Sequence, residues 1–326
     1  MATLVYAAGT SHGPHLGAPP ELWAQRGEQD KTYKALYAAD GEVRSYDELV
    51  ALAAGRYDKQ ATYEQWQQDW QRSQADLDRL RADFARVAPD VVLIVGDDQQ
   101  EIFSEANTPA LAIGGAATMT TATYDDKDIL RSEFFTAAAP TFLMDKHHSL
   151  VGSPDLARDI AAHLNELGFD IAWLAGSENY GHAVGFPIYR LLSSQSIPVI
   201  PVLTNTFFPP NQPTPRRCFE FGRALRAAVE ASPIEARVAI VASGGLSHFV
   251  VDEDLDNTVM TALRANDYET LCSLPAKFLN SGNSEIRNWI IVAGAMEGRP
   301  VDWSDYVSVV RSPAGTGCGL GFISWK

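Results

Sequence analysis

The chain has 326 residues, of which 46% are hydrophobic and 21% charged, and carries a net charge of -15 at pH 7. That length suits one large α/β core with an attached elaboration, and the acidic balance opposes nucleic acid or an anionic membrane surface as a partner. No apolar run approaches the roughly 18 residues that cross a bilayer, and the opening MATLVYAAGTSHG has neither a basic n-region nor a small-residue cleavage site, so a cytoplasmic address is expected.

Taken in chain order, the first predicted element is a strand over 3–9, TLVYAAG, apolar at nearly every position. Residues 20–65, rich in Tyr, Ala and charge, read as an elaborated segment between the first and second strands. Trp66, Trp70, Leu77, Leu80 and Phe84 then recur at helical spacings until Pro89 stops the pattern. DVVLIVG (90–96) is the second strand. SPDLARDIAAHLNELGF (153–169) reads as a helix with Ser153 as N-cap, Pro154 at the first position and Gly168 at the end. Strands are predicted over 169–176, 197–205 and 238–245, separated by the helical PRRCFEFGRALRAAVEAS and followed by DEDLDNTVMTALRAN. Runs apolar on both faces suit strands covered by helices on each side. The expected fold is therefore α/β: a single large domain over 1–326 with a central, mostly parallel sheet covered by helices, plus a helical elaboration. Cys218, Cys272 and Cys318 are scattered and odd in number, which argues against a disulfide framework or a thiolate metal site.

In such sheets function collects at strand ends, and four ends here carry unusual chemistry. AAGTSHGPH presents His12 and His15; VGDDQQE presents Asp97, Asp98, Gln99 and Glu101; GSENYGHAVGFP presents His182; SGGLSHFVVDEDLD presents His248, Asp252, Glu253 and Asp254. Three of the four hold histidine although the chain has seven in all. Any one of these is more often a satisfied structural group than a ligand. As a set, imidazole with carboxylate and no cysteine is donor chemistry for Fe(II), Mn(II) or Zn(II).

TSHGPHL, YGHAVGFP and SGGLSH followed by an acidic helix start, in this order on α/β elements, resemble the class III extradiol ring-cleaving dioxygenases. The nearest likeness is the catalytic-subunit type of protocatechuate 4,5-dioxygenase, gallate dioxygenase and 3-O-methylgallate dioxygenase. LTNTFFPPNQPTPRRCFEFGRALR and SGNSEIRNWIIVAGAMEG resemble that branch too, so the likeness covers nearly the whole chain. The resemblance implies non-haem Fe(II), with Mn(II) or Zn(II) as other candidates, held by two histidines and a carboxylate. It implies extradiol cleavage of a catechol- or gallate-type aromatic substrate with dioxygen. It places His12 and Glu253 as metal ligands and His182 as the acid–base histidine. Tyr180 and Arg287, with Arg217 beside them, become candidate substrate contacts, Arg287 by a bidentate fork to a carboxylate. Residues 270–326 become the region near the substrate entrance, and a homo-oligomer is expected.

The sequence departs from the family pattern at the second strand end, where an Asp-His pair is expected and Asp97 and Asp98 stand instead. Three readings stay open: Asp98 is the second ligand, His15 replaces it, or the metal is lost. Asp97, His248 and His15 are expected behind the ligands, with His248 fastening its loop. His147, His148 and His163 read as structural or exposed. Two other function classes compete: a metal-dependent hydrolase or other non-oxidative enzyme on the same scaffold, and a non-enzymatic Memo-like relative.

Overall fold

The computed structural model describes residues 1–124, 132–176, 178–192 and 196–326. Among them nine strands make one sheet: β1 (Thr3–Thr10), β2 (Val91–Asp97), β3 (Leu111–Gly114), β4 (Ala172–Leu174), β5 (Val199–Thr204), β6 (Arg237–Ser243), β7 (His248–Val250), β8 (Val301–Val310) and β9 (Thr316–Trp325). Their order is β7-β9-β1-β6-β2-β5-β3-β4, with β8 paired to β9. The centre, β1-β6-β2-β5, is parallel, while β9 joins β1 and β8 in antiparallel register.

Apolar residues fill both faces. Leu93, Val95, Ile200 and Ile240 point into one core, with Val92, Ile94 and Val241 in the other. On the first face lie helices α2 (Pro154–Glu166), α4 (Pro215–Ala231), α5 (Glu253–Ala265) and α6 (Ile286–Ala295). On the second lie α1 (Tyr63–Val87) and α3 (His182–Arg190). Such two-faced burial is why the central strands read as unbroken apolar runs. The predicted helices agree with α1, α2, α4 and α5 to within a residue or a few at their ends. Strands β3, β7, β8 and β9 were not predicted from the sequence. TGCGLGFISW in β9 reads as a loop because glycine is depleted in strands, yet all ten of its residues are buried against β8 and β1.

The elaborated segment, residues 20–65, folds as two short helices, Trp23–Asp30 and Tyr46–Ala53, flanking a small hairpin. Ser45 and Glu48 close a capping box at the second helix. The segment matters to function because Arg26 and Tyr33 reach the central cavity.

Because β1, β6, β2 and β5 run the same way, their carboxyl ends share one edge. β1 delivers His12 two residues beyond its end, β2 ends on Asp97, and β6 leads into Gly244–Ser247. Trp289 of α6, fully buried, donates Nε1–H to the Gly244 carbonyl at 2.9 Å and fixes that loop to the helix.

Candidate functional site

At this edge His12, Asp97, His182 and Glu285 each aim one donor atom into a common space, all four within 4.8 Å of one another. His12 is held from both sides of its ring: Nδ1 shares a 2.9 Å hydrogen bond with Ser243 Oγ, and Nε2 lies 3.1 Å from Glu285 Oε2. His182 opens α3 and stands edge-on to His12, their centroids 4.7 Å apart. Its Nδ1 donates to Glu101 Oε1 at 3.0 Å, which leaves Nε2 for the cluster. Gly181 makes that bond possible, since a Cβ there would sit 2.4 Å from the Glu101 side chain.

The electrostatics are those of buried, mutually dependent charges. Burial opposes protonation of His182, but Glu101 above all, then Asp97 and Glu285, outweigh it and raise its pKa to about 9. Burial would raise the Glu285 carboxyl, yet His248 and His12 overcome it and hold the group well below its ordinary range. Asp97 is pushed up, first by burial and then by Glu285. Its Oδ2 accepts from Gln99 Nε2 at 2.8 Å, whereas Oδ1 is buried without a partner. A buried carboxylate oxygen with no donor is costly, and a divalent cation would satisfy it. Two imidazoles and two carboxylates, with no thiolate, form a donor set suited to Fe(II), Mn(II) or Zn(II).

His12, His182 and Glu285 of the cluster line a cavity of about 370 Å³, within the usual range for a small-molecule site. Phe135, Phe142, Phe207, Phe249 and Leu320 supply apolar walls around it. His248 also lines the cavity; its Nε2 is 3.2 Å from Glu285 Oε1 and its Nδ1 donates to the Leu246 carbonyl at 3.0 Å. Glycine clamps this ring closely, a Cβ on Gly282 falling 2.1 Å from His248 Cδ2. The loop is fixed by Ser247, which donates both N–H and Oγ–H to buried Asp256.

The expected ligands are redistributed. His12 is at the cluster. Asp98 is beside it but turned away: its oxygens accept from the N–H groups of Ile102 at 2.8 Å and Phe103 at 3.1 Å, so it caps the turn after β2. Asp97, expected behind the ligands, takes the place given to Asp98. Glu253 is not brought in; it begins α5, where the helix dipole favours an acid, and pairs with Arg56 at 3.1 Å. The carboxylate at the site is Glu285 instead. His15 lies in the cavity wall between Trp23 and Phe134, not in the cluster.

Tyr180 is 1% exposed and donates at 3.4 Å to the Gly176 carbonyl, packed away from the cavity. Arg287 is equally committed, since its guanidinium donates to the carbonyls of Pro213, Thr206, Leu279 and Ser284. Arg217 lies over the Phe169 ring on the surface. His147, His148 and His163 bond to nearby backbone or to Asp145. Glu285, Arg26 and Arg311 were missed, and Glu101, named at its strand end, was read as a solvated turn residue. Glu285 lies in NSEIRNWII, a segment that already resembled the family, but it precedes a helix and follows no apolar strand.

The chain is 31% identical over 158 residues to a gallate dioxygenase of Pseudomonas putida, covering 44% of this chain and 46% of that protein. It is 26% identical over 178 residues to a 2,3-dihydroxyphenylpropionate/2,3-dihydroxicinnamic acid 1,2-dioxygenase of Mycobacterium ulcerans, covering 47% and 56%. These alignments thus span about half the length of each relative. A solved structure of an uncharacterized Escherichia coli K12 protein aligns with a TM-score of 0.43 at 16% identity, over 76% of this chain and 91% of that one. Among the described residues no helix is long and apolar enough to cross a membrane. Residues 56–321 match the model for the catalytic LigB subunit of aromatic ring-opening dioxygenase, and the chain belongs to that family.

Proposed function

We propose that this protein cleaves a catechol- or gallate-type aromatic ring by extradiol addition of dioxygen. The observation that carries the reading is the convergence of His12, Asp97, His182 and Glu285, three of which, His12, His182 and Glu285, line an apolar cavity sized for a single ring. The four would hold the metal, Fe(II) first and Mn(II) or Zn(II) as other candidates, with the orphaned Asp97 oxygen as one donor. Bound there, Fe(II) or Mn(II) would supply electrons and a template on which diol and dioxygen meet, whereas redox-inactive Zn(II) would supply the template alone.

The protein's own residues do the rest. Ser243 and Glu101 orient the two imidazoles, the arrangement in which an outer carboxylate or hydroxyl fixes ring and tautomer. His182, expected as the acid–base residue, is drawn into the donor group. The proton-carrying role then passes to His248. The Leu246 carbonyl keeps the proton on its Nδ1, so Nε2 is the nitrogen that takes a proton from a ring hydroxyl and returns it later. The phenylalanine walls grip the ring and keep water from it. Membership of the ring-opening family favours this reading over a hydrolase or a non-enzymatic relative. Gallate and dihydroxyphenylpropionate, substrates named for two relatives, bracket the ring type.

The test is oxygen uptake by protein loaded anaerobically with Fe(II), across catechols and gallates. Stoichiometric uptake with loss of the aromatic absorbance is expected for at least one diol and for none of the matching monophenols. No uptake with any diol, at full metal content, would sink the reading.

A further inference from the structure

The tautomer of His248 is set by a peptide group that a buried carboxylate holds from its other side. His248 Nδ1 donates to the Leu246 carbonyl at 3.0 Å. That carbonyl and the Ser247 N–H belong to one planar trans peptide unit, so they point in opposite directions. The Ser247 N–H donates to Asp256 Oδ1 at 2.7 Å. Carboxylate, peptide and imidazole thus form one line of hydrogen bonds. Fixing the peptide plane fixes the acceptor that the imidazole proton meets.

Asp256 lies in α5, fully buried and outside the cavity wall. The helix does not need it as a cap, because Asp252 already accepts the Leu255 N–H at 3.0 Å. A buried carboxylate is costly unless donors surround it. Besides the Ser247 N–H, two hydroxyls reach Oδ2: Ser247 Oγ at 2.6 Å and Tyr306 Oη at 2.8 Å. Burial raises the Asp256 carboxyl to about 7 against the pull of these bonds, so mildly alkaline solution ionises it. Ser247 is held on its other sides as well. Its Oγ accepts the Asp252 N–H at 2.8 Å, and its carbonyl accepts the Gly319 N–H of β9 at 2.8 Å. A carboxylate on the N–H side also draws charge toward the carbonyl oxygen and strengthens it as an acceptor.

We propose that Asp256 is a positioning residue for His248. By holding and polarising the Leu246–Ser247 peptide, it keeps the imidazole proton on Nδ1 and leaves Nε2 to exchange the proton of a ring hydroxyl. The inference rests on the acid–base role given to His248 and adds to it a group that lines neither the cavity nor the donor cluster.

The test compares wild type with Asp256→Asn in mildly alkaline buffer, by steady-state kinetics of the Fe(II)-loaded protein and by nitrogen-15 spectra of the diamagnetic, Zn(II)-loaded protein. The amide has nearly the shape of the carboxylate but lacks its charge. Asp256→Asn is expected to lower kcat by about tenfold to a hundredfold, the scale of a small misplacement at a reacting group, with KM and metal content unchanged. In a His248→Ala background the same substitution should change kcat by no more than about twofold, because the two residues act as one unit. Tyr306→Phe breaks the same buried network without touching the peptide, so it should leave kcat within about threefold of wild type. In the spectra a slowly exchanging Nδ1–H of His248, assigned by its loss in His248→Ala, is expected in wild type and not in Asp256→Asn. Its absence from wild type would overturn the proposal even where Asp256→Asn does not fold. So would equal falls in kcat with and without His248, or a Tyr306→Phe loss as large as that of Asp256→Asn. Failure of the ring-opening reading is distinguishable: it shows as no oxygen uptake by wild type with any diol, and the Nδ1–H signal then still decides the role of Asp256.

Discussion

Replacing Glu285 with alanine is expected to abolish tight metal binding. Glu285 is 4% exposed, lies 3.1 Å from His12 Nε2 and 3.2 Å from His248 Nε2, and accepts the Gly245 N–H. Those partners hold it ionised despite its burial, burial raising its pKa and the two histidines more than reversing that. Its loss removes one donor directly and frees His12 on the face it presents to the metal. Losing an outer-shell partner alone costs about 10–100-fold in metal affinity, so losing this group should cost more. Glu253→Ala is the matched control: it breaks a surface ion pair with Arg56 and should leave metal content intact. Anaerobic Fe(II) titration of the two variants checks both statements. Retention of metal by Glu285→Ala with loss from Glu253→Ala would restore the ligand set expected from the sequence.

The second large effect separates the two cavity histidines. His248→Ala should keep the metal and lower turnover by about a hundredfold or more, the usual scale for a positioned acid–base group. His182→Ala should lose the metal, because its donor atom lies within 4.8 Å of those of His12, Asp97 and Glu285. The measurement pairs metal analysis with single-turnover rates. A His182 variant that keeps metal but not turnover, beside a His248 variant that loses metal, would exchange the roles.

The sequence made the scaffold legible, and its site residues differ in part from the ligand set proposed here for identifiable reasons. Strands β1, β2, β5 and β6 and helices α1, α2, α4 and α5 carry continuous apolar runs or a helical period, and both survive any tertiary context. Strand ends could also be read, so His12 and the acidic block at 97–98 were found. The choice between Asp97 and Asp98 could not be, because a strand alternates its side chains from face to face. The face that reaches the cavity depends on where β2 ends, and Asp98 falls where two turn N–H groups need an acceptor. Glu253 drew attention as an acid beside a histidine motif, but an acid in the first turn of a helix is satisfied there. Glu285 and Arg26 come from segments with no strand signal, brought to the cavity by packing between distant parts of the chain.

Anomalous X-ray scattering from crystals grown with Fe(II) or Mn(II) under anaerobic conditions tests the central claim most directly. The account predicts one strong peak, with His12, Asp97, His182 and Glu285 donors at roughly the 2.0–2.2 Å of such bonds and Asp98 still bound to its turn. A peak coordinated by Glu253 or Asp98, or none in the cavity at full occupancy elsewhere, would contradict it.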